Sequence, residues 1–332
     1  MKICANTLDD LLREVFEKFK TLDDDYIESS RGKNKEIRGV LLKLKCPRAR
    51  ISHSERRGHI SSPLGEFFWY LSGLDDVDFI KHYVPKYWEE AESNGKIFGA
   101  YGPRLFGEYN SINQFQNILK LLKRKPFSRQ AVIQLFDRED INNFKTPPKN
   151  IPCTCTLQFI IRNNKLEMFT HMRSNDAYIG LLHDIFAFTM IQEVIASQLN
   201  VSVGTYHHLI NSLHLYERDE KKISDYLNEG FQTIEPMPKM PKRSCGILKK
   251  MLLTEESIRK GEELDISSLN LDDYWKDIAR LLQIHSIQKD DNIDVNGRIG
   301  KIKGLENEMK SSIYNQYIRA TLMKLEKRIF IN

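Results

Sequence analysis

Cysteine is scarce in this sequence, and its copies are irregularly spaced. The 332 residues contain five cysteines, which are Cys4, Cys46, Cys153, Cys155 and Cys245. An odd number at irregular spacing in a chain of this length disfavours the disulfide framework of small secreted domains. Any cysteine with a function is therefore expected to act as a free thiol.

Long apolar runs are also missing. The first ten residues lack the uninterrupted apolar stretch of a secretion signal. The most apolar segment, residues 179–196, contains His183, Asp184, Gln192 and Glu193, so it is not expected to cross a bilayer unaided. We therefore expect a cytoplasmic protein that has no membrane partner.

No concentrated basic arm, internal repeat or low-complexity tract is visible. Lys and Arg number 50 and Asp and Glu 45, and the resulting net charge of +5 is spread over the chain. This balance is weak evidence for a nucleic-acid partner, and none is expected. It suits a protein that binds a small anion at one local site equally well.

The composition predicts a sizeable core, because 41% of the residues are hydrophobic and 10% are aromatic. The length allows one large domain or two. The character of the sequence changes after Glu217, where a proline-rich connector begins near residue 235. We therefore divide the chain into a main domain, residues 1–220, and a mainly helical region, residues 221–332, packed on the same domain.

Apolar spacing predicts the secondary structure. Leu8 to Phe19 shows the three- and four-residue intervals of an amphipathic helix. Ser62 and Pro63 have the pattern of an N-cap and a first helical residue. Further helices are expected over residues 112–122, 272–287 and 304–327, with a buried helix after Asp184 that ends at Asn200. Strands are expected over residues 37–44, 130–135 and 205–215, with a hairpin of 156–162 and 165–172.

The segment Pro152-Cys-Thr-Cys155 has several interpretations. It fits a metal-binding pair, a redox pair, one nucleophilic thiol, or small buried side chains. Metal has little support and none is expected, because the histidines do not pair at ligand spacing. Since strand alternation is unreliable directly after a proline, geometry alone does not choose between the two cysteines.

A second polar segment begins twenty residues later with Arg173 and Ser174. A guanidinium fork and a hydroxyl at a strand end are the usual donors for a phosphate or a carboxylate, although a solvated arginine is the simpler interpretation. Asp184, directly before an apolar helix, is equally well explained as an N-cap or first-turn acid. Spacing alone leaves these alternatives open.

Together these segments resemble the thymidylate synthase family. The resemblance runs from about Arg31 to Tyr216 and keeps the family's order and spacing. Its motifs are Pro152-Cys153, Gln158-Phe159, Arg173-Ser174-x-Asp176-x-x-x-Gly180, a polar residue at 184, and His214-Leu-Tyr216. It implies an α+β fold, with a mixed sheet and packed helices in two layers, extended here by C-terminal helices.

The resemblance also implies a role for each matching residue. Cys153 would be the nucleophile, because it lies five residues before Gln158, and Cys155 would be a packing residue. Catalysis would further involve Glu66, which organises water and proton transfer, and Tyr101, near the pyrimidine. The nucleotide phosphate would be bound by Arg31, Arg173, Ser174 and, from the partner subunit of a homodimer, Arg129. His214 and Tyr216 would face the sugar, and the folate would contact Asp176, Tyr87 and Gly180.

Asp184 is the most informative departure from the family. Thymidylate synthases resemble one another in an asparagine here, whose amide pairs with uracil. An ionised Asp184 would oppose uracil O4, whereas cytosine offers an N4 amino donor and, when protonated, a second donor at N3. The resemblance is therefore nearest to the deoxycytidylate hydroxymethylase branch.

Other departures concern the rims of the site. Thr154 stands where synthases usually have histidine, Gln130 where they have a second arginine, and Tyr87 where a tryptophan often covers the folate. The family's apolar C-terminal end has no recognisable counterpart in residues 327–332.

The resemblance implies a hydroxymethyltransferase that acts on dCMP or CMP with 5,10-methylenetetrahydrofolate. Cys153 would add to C6, the one-carbon unit would join C5, and water positioned by Glu66 would complete the hydroxymethyl group. A nearby cation such as Arg173 is expected to lower the pKa of the Cys153 thiol. The alternatives are methylation of dUMP or of a cytosine nucleotide, and a nucleotide-binding protein without turnover.

Overall fold

A six-stranded mixed sheet forms the centre of the fold in this computed structural model, which describes residues 1–55, 59–107, 112–142, 147–233, 235–242 and 245–329. The strands are β1 Lys2–Ala5, β2 Asn34–Leu44, β3 Val132–Gln134, β4 Thr154–Arg162, β5 Lys165–Asp176 and β6 Ser202–Tyr216. Their order across the sheet is β1-β2-β6-β5-β4-β3. β1 is parallel to β2 and β5 to β6, while the other neighbours are antiparallel.

Helices pack on this sheet and extend beyond it. In chain order they are α1 Leu8–Lys20, α2 Ser61–Ser72, α3 Val77–Tyr83, α4 Tyr101–Phe106, α5 Gln114–Arg124, α6 Gly180–Leu199, α7 Glu220–Asn228, α8 Cys245–Arg259, α9 Asp273–Lys289, α10 Val295–Glu308 and α11 Asn315–Ile329. Short 3-10 helices include Pro85–Glu90 and Arg138–Ile141. The expected α+β class is confirmed.

The predicted hairpin is present as β4 and β5. Asn163 and Asn164 both adopt left-handed conformations, with φ of 50° and 57°, which suit the twist of a two-residue hairpin turn. The register shifts between Thr154 and Thr156, so a bulge lies at the start of β4. Simple alternation therefore does not relate Cys153 to Cys155.

Helix α6 lies at the centre of the core, because 15 of its 20 residues are buried. It packs against β5, β6 and α2. Asn200 ends it in the left-handed conformation, as predicted. Its start differs from the prediction, because α6 begins at Gly180 and Asp184 lies in its second turn. The N-cap and first-turn interpretations of Asp184 are therefore wrong.

Two other helix boundaries differ from the prediction. Helix α2 begins at Ser61 after Ile60, so Ser62 is not its N-cap. The helix expected over 304–327 is two helices, α10 and α11. The break has a tertiary cause, since the Asp277 carboxylate accepts the backbone N–H groups of Lys310 and Ser311 at 3.0 and 2.9 Å.

The C-terminal helices share the core of the sheet domain. Trp275 and Tyr314 are fully buried in the same hydrophobic cluster as Phe67 of α2. The division at residue 220 stays a prediction. Within the described ranges, no helix is both long and apolar enough to cross a membrane.

Candidate active site

Cys153 lies directly before β4, in a segment that Arg173 holds in place. The Arg173 side chain donates from Nε to the carbonyl of Pro152 at 2.9 Å and from Nη2 to that of Ile151 at 3.0 Å. Its backbone N–H donates to the Cys153 carbonyl at 2.9 Å. Arg173 therefore fixes the path of the chain that carries the thiol.

The Cys153 thiol is mostly enclosed, and its pKa is raised. Burial is the largest cause, while the charges of Arg173 and Arg31 lower the pKa and Asp184 raises it. Arg173 lowers the pKa in the direction expected of a nearby cation, but the loss of solvation outweighs it.

Asp184 faces the site from α6 and is surrounded by groups that favour its protonated form. Burial raises the pKa of its carboxyl well above the usual value, and the charges of Glu66 and Asp176 raise it further. A hydrogen bond with Asn175 acts in the opposite direction. Gly180 leaves room for the side chains of Asn175 and Asp184, because a Cβ at this position would lie 2.8 Å from Asn175 Oδ1 and 3.8 Å from Asp184 Oδ2.

Glu66 is buried on α2 and held by two side chains. The Tyr87 hydroxyl donates to Oε1 at 3.1 Å, and Nδ1 of His183 lies 3.2 Å from Oε2. Burial raises the pKa of Tyr87 well above its usual value, so the phenol keeps its proton and acts as a donor. Glu66 therefore points to a fixed place beside Asp184.

Tyr101 connects this region to the nucleophile segment. Its hydroxyl accepts hydrogen bonds from the Thr154 side chain at 2.9 Å and from the Thr154 backbone at 3.2 Å. Burial raises the pKa of Tyr101, and the nearby Asp184 and Cys153 raise it further. The threonine that departs from the family pattern thus orients a predicted catalytic tyrosine.

The residues expected to face a sugar lie together at the ends of β5 and β6. Ser174 Oγ is 3.3 Å from Nδ1 of His214, and the His214 and Tyr216 rings meet edge to face at 5.1 Å. Burial lowers the pKa of His214, and the nearby Asp176 opposes this shift. A neutral imidazole and two hydroxyls offer donors and acceptors to a small polar ligand.

Asp176 has a structural role in addition to the predicted one. Its Oδ1 accepts the backbone N–H groups of Tyr178 and Ile179 at 2.7 and 3.2 Å, directly before α6. Its charge acts on both Asp184 and Tyr216, so its carboxylate lies between the two ends of the site. The helix entry thus fixes the position of this acid.

The predicted phosphate arginines are not all brought together. Arg31 acts electrostatically on Cys153, as Arg173 does, but its guanidinium pairs with Glu90. Arg129 lies before β3, four strands away from β2 across the sheet, and its side chain is exposed. It makes no hydrogen bond or ion pair with these residues in the part of the chain that the structure describes.

Sequence reasoning missed the residues that support the acids. Asn175 bonds Asp184 on one side and lies 3.1 Å from Nε2 of His208, a fully buried histidine on β6. Burial lowers the pKa of His208 to about 3, and Tyr206 contacts its other nitrogen at 2.7 Å. Asn175 and His183 each neighbour a motif residue in the sequence, which was the available signal.

One cavity of the described chain lies apart from this cluster. Its volume is about 670 Å³, and it opens between the start of α2 and helices α9 and α11. None of the predicted site residues lines it. No group of three His, Cys, Asp or Glu side chains suited to a metal ion occurs among the described residues.

Comparison with known proteins gives the family of the chain. The family profile described as thymidylate synthase matches residues 35–279. A deoxyuridylate hydroxymethyltransferase of Bacillus phage SP01 is 34% identical over 204 residues, which is 57% of this chain. The matched part of the chain spans 52% of that relative's length. This chain belongs to the thymidylate synthase family, near its hydroxymethylase branch.

Proposed function

We propose that this protein is a hydroxymethyltransferase that adds a one-carbon unit to C5 of a cytosine nucleoside monophosphate, dCMP or CMP. One observation carries the proposal: the charge of Asp184 raises the pKa of both the Cys153 thiol and the Tyr101 hydroxyl, so the three groups lie around one site. A nucleophile and a base-recognising acid at one site suit a planar pyrimidine placed between them.

The chemistry assigned to this chain begins with covalent addition. The Cys153 sulfur bonds to C6 of the ring, which makes C5 nucleophilic. C5 would then take up the one-carbon unit and lose its proton, and the bond between that carbon and tetrahydrofolate would break. Water would add to the resulting exocyclic methylene as the sulfur leaves C6. Since the reactive form is the thiolate, the raised pKa of Cys153 requires a proton acceptor or a change in electrostatics when the substrate binds. Glu66, held by Tyr87 and His183, is in position to orient the water that completes the hydroxymethyl group.

Cytosine recognition is assigned to Asp184. In its protonated form the carboxyl offers one O–H donor and one carbonyl acceptor. These match the N3 acceptor and the N4 amino donor of neutral cytosine. In its ionised form it accepts from N4 and from a protonated N3. Both forms therefore pair with cytosine.

Uracil is the second candidate base. Only the protonated carboxyl of Asp184 pairs with it, and the raised pKa of Asp184 favours that form. The protonated carboxyl donates to O4 and accepts from N3–H, as an amide would. The ionised carboxylate opposes O4 and leaves it without a donor, at a cost of roughly 1 to 3 kcal/mol or more. The phage relative is named for deoxyuridylate, which supports testing this substrate.

The residues present fit a folate as the one-carbon donor. Trp88 and Ile179 are 65% and 42% exposed. Trp88 follows Tyr87 in the chain, and Ile179 precedes Gly180 and donates its backbone N–H to Asp176. Exposed apolar side chains beside a carboxylate suit a flat heterocycle with N–H donors. When bound, 5,10-methylenetetrahydrofolate supplies the carbon. Tyr87, Asp176 and Gly180 are the residues assigned to hold it.

A homodimer is part of the proposal. Arg129 is exposed, and its carbonyl accepts from Gln158 Nε2 at 2.9 Å, which fixes the backbone beneath it. An exposed arginine on a fixed backbone suits a phosphate in the partner's site. The dimeric state and the cytoplasmic location of the protein are both part of this proposal.

Tritium release from 5-³H-labelled dCMP, CMP and dUMP, with 5,10-methylenetetrahydrofolate present, tests the function. We expect release from a cytosine nucleotide and a 5-hydroxymethyl product by mass spectrometry. Release only from dUMP would instead support the uracil candidate, and a 5-methyl product would support methylation. Nucleotide binding without release from any substrate would contradict an enzymatic role.

A further inference from the structure

Glu90 forms an ion pair with Arg31, which is one of the arginines assigned to the substrate phosphate. It ends the 3-10 helix Pro85–Glu90, and both of its carboxylate oxygens lie 2.6 Å from Nη2 of Arg31. The Arg31 backbone is held independently, because Nη1 of Arg218 donates to its carbonyl at 2.8 Å. The contact therefore joins an anchored cation to an anion from a distant part of the chain.

The same carboxylate also reaches the segment ahead of the nucleophile. Asn150 donates from Nδ2 to Glu90 Oε2 at 3.1 Å. The next two carbonyls, in residues 151–152, are the ones that Arg173 binds. Arg31, through Glu90, and Arg173, directly, are thus both connected to residues 150–152, which directly precede Cys153.

A carboxylate placed in this way resembles part of a phosphate. It presents two oxygens and one negative charge, whereas a nucleotide phosphate presents three oxygens and nearly two charges. Arg31 and Glu90 are 56% and 22% exposed at their side chains, and ion pairs of such exposure contribute little to stability. A phosphate that also gains contacts to its nucleoside can therefore displace the carboxylate.

We propose that Glu90 is an internal competitor for the phosphate site, which keeps Arg31 from capturing free phosphate until a nucleotide monophosphate displaces it. The inference rests on the proposed function, because it takes Arg31 as a phosphate ligand. Inorganic phosphate lacks the sugar and base contacts that offset the loss of the Glu90 pair. Glu90 thus weakens every phosphate ligand of Arg31 by a similar factor, so that the complete nucleotide, with its additional contacts, still binds while free phosphate does not.

Binding measurements on the full chain test this role. Isothermal titration with inorganic phosphate, dCMP and deoxycytidine compares the wild type with Glu90→Gln, which keeps the shape and removes the charge. Glu89→Gln is the matched control, because it makes the same charge change one residue away on an exposed side chain. Circular dichroism checks that each variant is folded.

We expect Glu90→Gln to tighten inorganic phosphate and dCMP by about fivefold, the effect of losing one exposed ion pair. Deoxycytidine affinity is expected to stay within twofold, and Glu89→Gln should resemble the wild type for every probe. Equal or weaker phosphate binding by Glu90→Gln, with dCMP still bound, would overturn this inference alone. A failure of wild type and variant alike to bind any nucleotide would overturn the proposed function as well.

Discussion

The two ends of the proposed nucleotide site differ in how their charged groups are held. At one end, the carboxyls of Glu66 and Asp184 are enclosed and bonded to Tyr87, His183 and Asn175. At the other end, Arg31 and Arg173 are exposed and bonded to Glu90 and to backbone carbonyls. We call these the acidic end and the arginine end.

This difference separates two tasks. Burial at the acidic end raises the pKa of Asp184, so its protonation state determines which base it recognises. The arginine end keeps its permanent charges in contacts that a phosphate can replace. Substitutions at the acidic end should therefore change chemistry and base choice, whereas those at the arginine end should change affinity and thiol reactivity.

The largest effect is expected for Glu66→Gln at the acidic end. The variant keeps the contact with the Tyr87 hydroxyl but removes the carboxylate that orients water. Product formation should fall by about 10²- to 10⁴-fold, the usual worth of a positioned proton-transfer group. Rapid-quench product analysis measures the rate, and titration with dCMP should give an affinity close to that of the wild type. A large loss of dCMP affinity would assign Glu66 to binding instead.

A smaller change in selectivity is expected for Asp184→Asn. The amide cannot ionise, so preference should move toward dUMP by about 10- to 100-fold, the cost of one or two mismatched buried hydrogen bonds. Tritium release from dCMP and dUMP in competition measures the ratio. An unchanged ratio would contradict the proposed base contact.

The wild type provides a pH test of the same residue. The pKa of Asp184 is raised. At a pH below this pKa the carboxyl is protonated and can pair with uracil. The dUMP-to-dCMP rate ratio should therefore fall as pH rises through the Asp184 pKa, and the ratio in Asp184→Asn should show no such step. Because a ratio is measured, the pH dependence of Cys153 common to both substrates cancels.

The smallest effect, a few-fold change, is expected for Arg173→Gln at the arginine end. Removing this cation removes a cause that lowers the Cys153 pKa, so the alkylation rate should shift to higher pH. Iodoacetamide labelling of the Cys153 peptide, followed by mass spectrometry, measures the shift. Arg173→Lys should retain most of the wild-type profile, and Arg38→Gln, at an exposed site, should retain all of it. Equal profiles for the glutamine and lysine variants would point to loop geometry rather than charge.

Elements with strong periodicity were predictable from the sequence. The stripe from Leu8 to Phe19 and the alternation around Asn163-Asn164 depend on neighbours in the chain, and both elements are present. The break between α10 and α11 was not predictable, since the acid that bonds it, Asp277, lies over thirty residues earlier. Local patterns do not contain such tertiary hydrogen bonds.

The candidate site shows the same limit. Motif order indicated Cys153 and Asp184, but their pKa values depend on burial, which a sequence does not record. The pair of Arg31 and Glu90 joins residues 59 apart, and the contact of Thr154 with Tyr101 joins residues 53 apart. The C-terminal departure falls partly on residues 330–332, which lie outside the described residues.

Covalent trapping at Cys153 tests the proposed nucleophile most directly. The protein is incubated with 5-fluoro-dCMP and 5,10-methylenetetrahydrofolate, digested, and analysed by mass spectrometry. We expect an adduct of nucleotide and folate on the Cys153 peptide, and none in Cys153→Ser. Bound nucleotide with no adduct, or an adduct on Cys155 instead, would contradict this assignment.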